Sequence, residues 1–463
     1  MASYSLFWML LLKNNWKLIS NDFVIYLWTL AVTVIRIYWI FFVPLVWKKD
    51  LDNEKCSFLR KTENAVGGYN PKRDTINRLR KLKIQKITEL PPPYPNGWYG
   101  ILKSSQLKAG EATCVSCLGE DLVIFRTKKN IVFILDAYCP HLGANLGIGG
   151  SVADDCVICP FHQWKFRGTD GLCINIPYST SVPKGSKVKK WISQEVDGFI
   201  FIWYHAEQTE LPWDLREPMG EIDDAFVYHG HNEFYINCHI QEIPENGADI
   251  AHFNAIHKKN FINGSWVQKK RLFGLGSHHW KARWSPLVGK LKYLAEVNLN
   301  HYFKLFGKFD CFRMEVSGKQ IGPSIVCLEV NSYTFGKIKV VQYITPIEPL
   351  LQKVVHEFYG PRWIAPLMKI FIYGESLMFE RDISIWNHKV FHRNPILAKE
   401  DASIKKFRLW FSQFYSSNSK LYSETTNIVF FGILYWKFLR TQIVSRTSMA
   451  LRLTAKWIWW LDF

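Results

Sequence analysis

Cysteine is sparse in this chain, and what there is forms no compact framework: ten residues spread over 463. That excludes a disulfide-built scaffold and fits a reducing compartment in which thiolates persist. No Gly-x-Gly-x-x-Gly follows a strand-like run, and no Cys-x4-Cys-x2-Cys run is present. A resident nicotinamide fold and a plant-type ferredoxin centre are thereby excluded. Internal repeats and low-complexity segments are missing as well. Acidic residues are in the minority, 40 against 58 Lys and Arg, for a net charge of +18. The basic residues scatter, with clusters only around 78–86 and in the last 25 residues. Scattered positive charge points to anionic lipid or an acidic redox partner, and no nucleic acid is expected.

What is abundant is apolar and aromatic: 48% hydrophobic residues, with 32 Phe and 20 Trp, enough for two or three cored domains. One apolar run is long. Residues 23–47, "FVIYLWTLAVTVIRIYWIFFVPLVW", carry a single charge at Arg36. Such a run crosses a hydrocarbon core of roughly 30 Å at about 1.5 Å per residue. It is too long for a signal peptide and its end lacks a small-residue cleavage site. Lys48, Lys49, Lys55, Arg60 and Lys61 follow it whereas Lys13 and Lys17 precede it. The positive-inside rule then puts the bulk of the protein in the cytosol.

The expected organisation is an N-terminal segment (1–22), a transmembrane helix (23–47), a basic linker (48–93), an all-β domain (94–205), an α+β domain with an antiparallel sheet (206–416) and a basic aromatic tail (417–463). The linker ends in "LPPPYPNGWYG", where Pro91–Pro93 and Pro95-Asn96-Gly97 mark a boundary. Short runs such as "NIVFILDAYC" and "GFIFIWYH" read as strands, and helical stretches fall near 245–259 and 360–390.

The chemistry concentrates at "CPHLGANLGIGGSVADDCVICPFHQW". Cys139-x-His141 and Cys159-x-x-His162 each offer one thiolate and one imidazole. Structural zinc normally pairs its ligands like with like, Cys with Cys and then His with His. The mixed order suits a 2Fe-2S cluster in which one iron takes both sulfurs and the other both imidazoles. A rival zinc reading, Cys114-x-x-Cys117 with Cys156-x-x-Cys159, leaves Cys139, His141 and His162 without a role. A second constellation, "PENGADIAHFNAIH", sets out Asp249, His252 and His257. Two imidazoles and a carboxylate suit ferrous iron with open positions. Five residues separate the histidines, so on an ideal helix they diverge by about 140°, and a helix end or π-bulge must lie between them. The third ligand must come from downstream. In "GESLMFERDISIW" Asp382 lies beside the face shared by Phe379, Ile383 and Trp386, ahead of Glu380 and then Glu375.

Together these motifs resemble the Rieske non-haem iron oxygenases, over residues 92–416. The entry "PPPYPNGWY", "PFHQWKFRG" and "ERDISIW" are most similar to the animal cholesterol 7-desaturases of the Neverland type, with bacterial 3-ketosteroid 9α-hydroxylase as a more distant steroid relative. The resemblance implies a Rieske domain, a helix-grip catalytic domain and conversion of cholesterol to 7-dehydrocholesterol in steroid hormone synthesis. It further implies a 2Fe-2S cluster on Cys139, His141, Cys159 and His162, mononuclear iron on His252, His257 and Asp382, and Asp249 bridging His162 to His252 across subunits of a homotrimer. Because the chain lacks nicotinamide chemistry, electrons from NAD(P)H require a separate ferredoxin or reductase, with O2 as oxidant. A single-pass protein of the endoplasmic reticulum is the expected setting. Alternatives are a steroid hydroxylase, or a non-catalytic zinc or Rieske electron-carrier module.

Overall fold

The computed structural model describes residues 21–49, 90–208, 212–258, 276–306, 308–334 and 336–425. Most of the expected basic linker and tail, and nearly all of segment 1–22, lie outside these residues. Helix α1 (Asn21–Phe42) is followed by strand β1 (Leu45–Lys49). The apolar helix is therefore shorter than the expected span 23–47, because Pro44 disfavours helical backbone at the residue before it. Its window Ile25–Phe42 is still long and apolar enough to cross a membrane.

The next unit is all β. A four-stranded sheet contains β3 (Ala112–Cys117), β4 (Glu120–Arg126), β5 (Val132–Asp136) and β10 (Lys190–Trp191). A three-stranded sheet joins β2 (Gly97–Lys103), β11 (Ser193–Val196) and β12 (Phe199–Tyr204). A smaller antiparallel sheet, β6 (Ser151–Ala153), β7 (Cys156–Ile158), β8 (Lys165–Arg167) and β9 (Cys173–Asn175), carries the Cys/His loops at its end.

Beyond helix α2 (Arg216–Met219) lies an eight-stranded sheet in the order β1-β13-β19-β18-β17-β16-β15-β14. Its strands are β13 (Phe226–Ile236), β14 (Gly276–Pro286), β15 (Leu294–Leu305), β16 (Phe309–Ile321), β17 (Ile325–Ser332), β18 (Gly336–Glu348) and β19 (Leu351–Pro361). Every pairing is antiparallel except that of β1 with β13, in which Trp47 sits opposite Asn232. Helices α3 (Glu242–Glu245) and α4 (Ile250–Ile256) follow β13, and the 22-residue α5 (Ala365–Trp386) lies across the sheet. Helix α6 (Ala402–Phe411) closes the far end, where Phe407 and Phe411 pack on Trp284 and Val297.

The two β units share one core. Leu122, Ile124, Ile200 and Ile202 of the first pack with Phe234, Ile344 and Val354 of the second. Thr345 Oγ1 donates to the Gly100 carbonyl at 2.6 Å, and Leu118 N–H to the Pro346 carbonyl at 2.7 Å. This continuous burial fixes the cluster loops relative to the large sheet.

Candidate active site

Each Cys/His loop is a tight turn closed on its own cysteine. Cys139 N–H donates to the Ala144 carbonyl at 2.9 Å and Gly143 N–H donates back to Cys139 at 3.0 Å. The second loop repeats this, with Cys159 N–H to the Trp164 carbonyl at 2.9 Å and Gln163 N–H to Cys159 at 3.1 Å. The fifth residue of each turn has positive φ, +74° at Gly143 and +58° at Gln163. Glycine adopts that backbone freely, whereas glutamine is strained in it. At Gly150 a Cβ would come within 2.0 Å of the Leu146 carbonyl oxygen, so glycine is required for the chain to pass so close.

The two thiols are buried and face each other, and burial together with the neighbouring Cys159 sulfur pushes Cys139 up to about 11. The His141 and His162 rings stand 4.6 Å apart at 72°, and His141 stacks on Trp164 at 4.8 Å. His141 Nδ1 is buried without a hydrogen-bond partner. A single zinc would draw all four donors to about 2.0–2.3 Å from one point. Among the described residues, only His252, His257 and Asp382 form a group of three whose ligand atoms all lie within 4.8 Å of one another. In the Cys/His quartet Cys139 neighbours Cys159 and His141 neighbours His162, so that one iron could take both sulfurs and the other both imidazoles, and the donor set fits a 2Fe-2S cluster. The rival Cys114/Cys117/Cys156/Cys159 set is not gathered: Cys117 is in the shared core and Cys159 in the cluster-side core.

The second site is built where α4 ends against α5. Asp249 is the N-cap of α4, its Oδ1 accepting from His252 N–H at 3.2 Å, while its backbone carbonyl accepts from His252 Nδ1. The carbonyl thus holds the imidazole's second nitrogen, and the carboxylate holds the helix. His257 is the C-cap of α4. The helix end, rather than a π-bulge, turns the second imidazole toward the first, with ring centroids 5.3 Å apart. Arg381 of α5, fully buried, donates to the Ile256 carbonyl at 3.4 Å and so ties that helix end down. Its neighbour Asp382 brings Oδ2 to 3.2 Å from His257 Nε2. His257 Nδ1 and Asp382 Oδ1 are buried without hydrogen-bond partners. Burial lowers the His252 pKa, keeping it neutral as a ligand must be. These donors fit a ferrous ion.

The other two carboxylates of α5 have different partners. Glu380 accepts from Trp47 Nε1 at 3.1 Å and from Lys49 Nζ at 2.8 Å, tying α5 to β1. Glu375 accepts from Asn232 Nδ2 and lies 3.3 Å from His356 Nδ1. Burial pushes Glu375 up to about 8 and His356 down to about 3. Near neutral pH that pair is a carboxylic acid and a neutral imidazole, able to donate or accept a hydrogen bond without net charge.

His252, His257, Asp382 and Glu375 all line a cavity of 620 Å³ between the sheet and α5. Its walls are largely apolar, with Leu299, Val316, Leu328, Phe358, Met378 and Phe379 among them. His278 and His301, 2.8 Å apart, are a further polar pair in the wall that motif spacing did not single out. Burial drives them down to about 3 and about 4, so both are neutral. The available signal was period two: His278 and Trp280 sit two apart on β14, opposite Phe303 and His301 of β15. No Cys/His loop residue lines the cavity.

Residues 97–188 match the Rieske [2Fe-2S] domain and residues 202–415 the 3-ketosteroid 9α-hydroxylase C-terminal domain. Cholesterol 7-desaturase nvd of Drosophila melanogaster is 93% identical over 92% of this chain and 100% of its own length. The Xenopus laevis protein of that name is 42% identical over 84% of this chain and 87% of its own length. The oxygenase component of 3-ketosteroid-9-alpha-monooxygenase from Rhodococcus rhodochrous is 26% identical over 70% of this chain and 85% of its own length. Among solved structures, the terminal oxygenase of carbazole 1,9a-dioxygenase from Novosphingobium has the same fold, with TM-score 0.51 at 16% identity, covering 75% of this chain and all of that one. A Rieske [2Fe-2S] domain joined to a 3-ketosteroid 9α-hydroxylase-type C-terminal domain, with such identity along nearly the whole chain, makes this protein a member of the cholesterol 7-desaturase family of Rieske oxygenases.

Proposed function

We propose that this chain removes one hydrogen from each of C7 and C8 of cholesterol, giving 7-dehydrocholesterol, in steroid hormone synthesis. The observation that carries the reading is the buried group His252, His257 and Asp382 in the wall of an apolar cavity of 620 Å³. That volume is within the roughly 300–1,000 Å³ of small-molecule sites. The two hydrogens supply two of the four electrons that reduce O2 to two waters. The other two come from NAD(P)H through a separate ferredoxin or reductase, since no nicotinamide motif is present.

A 2Fe-2S cluster on Cys139, His141, Cys159 and His162 would supply electrons singly, and ferrous iron on His252, His257 and Asp382 would supply the oxidising chemistry of O2. The protein's own part is positional. The Asp249 carbonyl orients His252, Arg381 holds the helix end that presents His257, and the apolar walls exclude water. The cavity walls and the Cys/His loops share no residue. That supports electron entry from a neighbouring subunit of a homotrimer, with Asp249 bridging His162 of one chain to His252 of the next. The apolar α1 supports a single-pass membrane protein, and the excess of Lys and Arg after it supports a catalytic part on the cytosolic side.

The test is turnover of cholesterol by purified protein with O2 and a reductase, read by mass spectrometry beside iron, zinc and sulfide content. 7-Dehydrocholesterol with three irons per chain supports the reading. A hydroxylated sterol as main product would assign a hydroxylase, the second reading favoured by the match at 202–415. Zinc without sulfide would overturn both.

A further inference from the structure

Among the described residues of the cavity wall, two are exposed. These are Ile370 of α5 and Phe312 of β16, 60% and 41% exposed. The cavity mouth therefore lies between the N-terminal half of α5 and the β15–β16 hairpin. Helix α1 ends at the same place. Lys369, next to the rim residue Ile370, donates to the Val43 carbonyl and holds its ammonium 4.3 Å from the Trp39 ring centroid. Arg362 donates to the Phe41 carbonyl at 3.3 Å, with its guanidinium 5.1 Å from the Phe42 ring. The mouth is thus at the foot of the membrane-length helix.

Its surroundings are apolar where solvent contact would favour polar groups. At the hairpin tip Phe306 and Phe309 are 58% and 63% exposed, and on the other side Trp363 is 65% exposed. Lys304, 3.9 Å from the carboxylate of Asp310, and Lys308 flank the tip. Exposed aromatic rings interspersed with lysines match the interface of a bilayer, where rings reach the acyl boundary and ammonium groups meet phosphates. A second copy of this chain, itself +18, would bring like charge to the same patch.

We propose that the rim formed by the β15–β16 tip and the start of α5 seats in the leaflet at the foot of α1, so that the sterol passes from lipid into the cavity without crossing water. The proposal rests on the sterol-desaturase reading. Its physical reason is that a sterol leaving the bilayer through water would expose its whole apolar surface, whereas a mouth pressed into the leaflet keeps that surface covered.

The experiment compares full-length wild type with a Phe306→Glu/Phe309→Glu variant, neither position lining the cavity. Cholesterol is delivered either in phosphatidylcholine/phosphatidylserine vesicles or on cyclodextrin. The expected result is a KM at least tenfold higher for the variant with vesicles, kcat unchanged, and equal turnover with cyclodextrin. Hydrogen exchange across residues 304–310 should be slower in vesicle-bound wild type than in the variant, and this readout needs no turnover. A protected tip without desaturation overturns the sterol reading and leaves the membrane seat standing. Equal vesicle KM and equal exchange overturn the membrane seat. So does loss of activity with both delivery forms, which makes the tip a folding element, or a drop in oligomeric mass, which makes it a contact between copies.

Discussion

Asp382 and Glu380 stand two positions apart on α5 and are almost equally buried, at 6% and 7% exposure, yet their partners separate them. Asp382 faces His257 with one oxygen unpartnered, whereas both Glu380 oxygens accept from Trp47 and Lys49. Asp382→Ala should therefore remove mononuclear iron and turnover while the cluster's visible spectrum persists. Glu380→Ala should keep iron and cost on the order of 2–3 kcal/mol of stability, since Lys49 loses a charged hydrogen bond. Iron counts and denaturant titration check both. Glu375 gives a pH signature of its own. The unfolded chain sheds this proton near pH 4.5, while the folded protein keeps it to about 8. Because the unfolded state then binds fewer protons, stability falls as pH rises through that window. Glu375→Gln cannot ionise, so its melting temperature should gain on wild type between pH 5 and 8, by on the order of a few degrees.

At the scale of elements, α4 is seven residues long and both its ends hold the site. So short a helix has little stability of its own. Asp249 caps it by Oδ1 and steadies His252 by its carbonyl. Asparagine is an equally good N-cap, so Asp249→Asn should leave stability and both metals in place and remove only charge. If the carboxylate is on the electron path, oxidation of the reduced cluster in a single turnover should then slow by tenfold or more. Asp249→Ala should in addition cost about 1 kcal/mol through the lost cap. Wild-type cluster oxidation in the asparagine variant would take Asp249 off the path. The Cys/His loops and the Asp249/His252/His257 run stood out in the sequence because their donors recur at short local spacing, whereas the meeting of Asp382 with His252 and His257 depends on α5 packing against the end of α4. Glu375 with His356 and Asn232 was not legible. Those groups meet only because β13 and β19 pair with Asn232 opposite His356 beneath α5.

For the molecule as a whole, the shared core keeps the cluster loops and the cavity fixed relative to each other within one chain. An electron path between chains then makes a specific prediction. Co-assembled Cys159→Ser and Asp382→Ala subunits, each inactive alone, should regain a measurable fraction of wild-type turnover, because a sound cluster in one can face a sound iron site in the next. Absence of recovery in mixed oligomers of verified composition would place the path inside a single chain.

The sequence by itself determined the two candidate donor clusters, the Cys/His loops and the Asp249/His252/His257 run, together with the all-β and antiparallel α+β units and the apolar N-terminal run, since these follow from local residue spacing and hydrophobic pattern. Tertiary structure decided what pattern cannot carry. It sent 45–49, past the Pro44 break, into the sheet beside β13, where Trp47 and Lys49 meet a carboxylate 331 to 333 residues away in sequence. It also brought the end of α1 against the start of α5, beside Ile370 of the cavity wall. The reason is that such neighbours are set by the packing of distant elements, and chain distance holds no record of them.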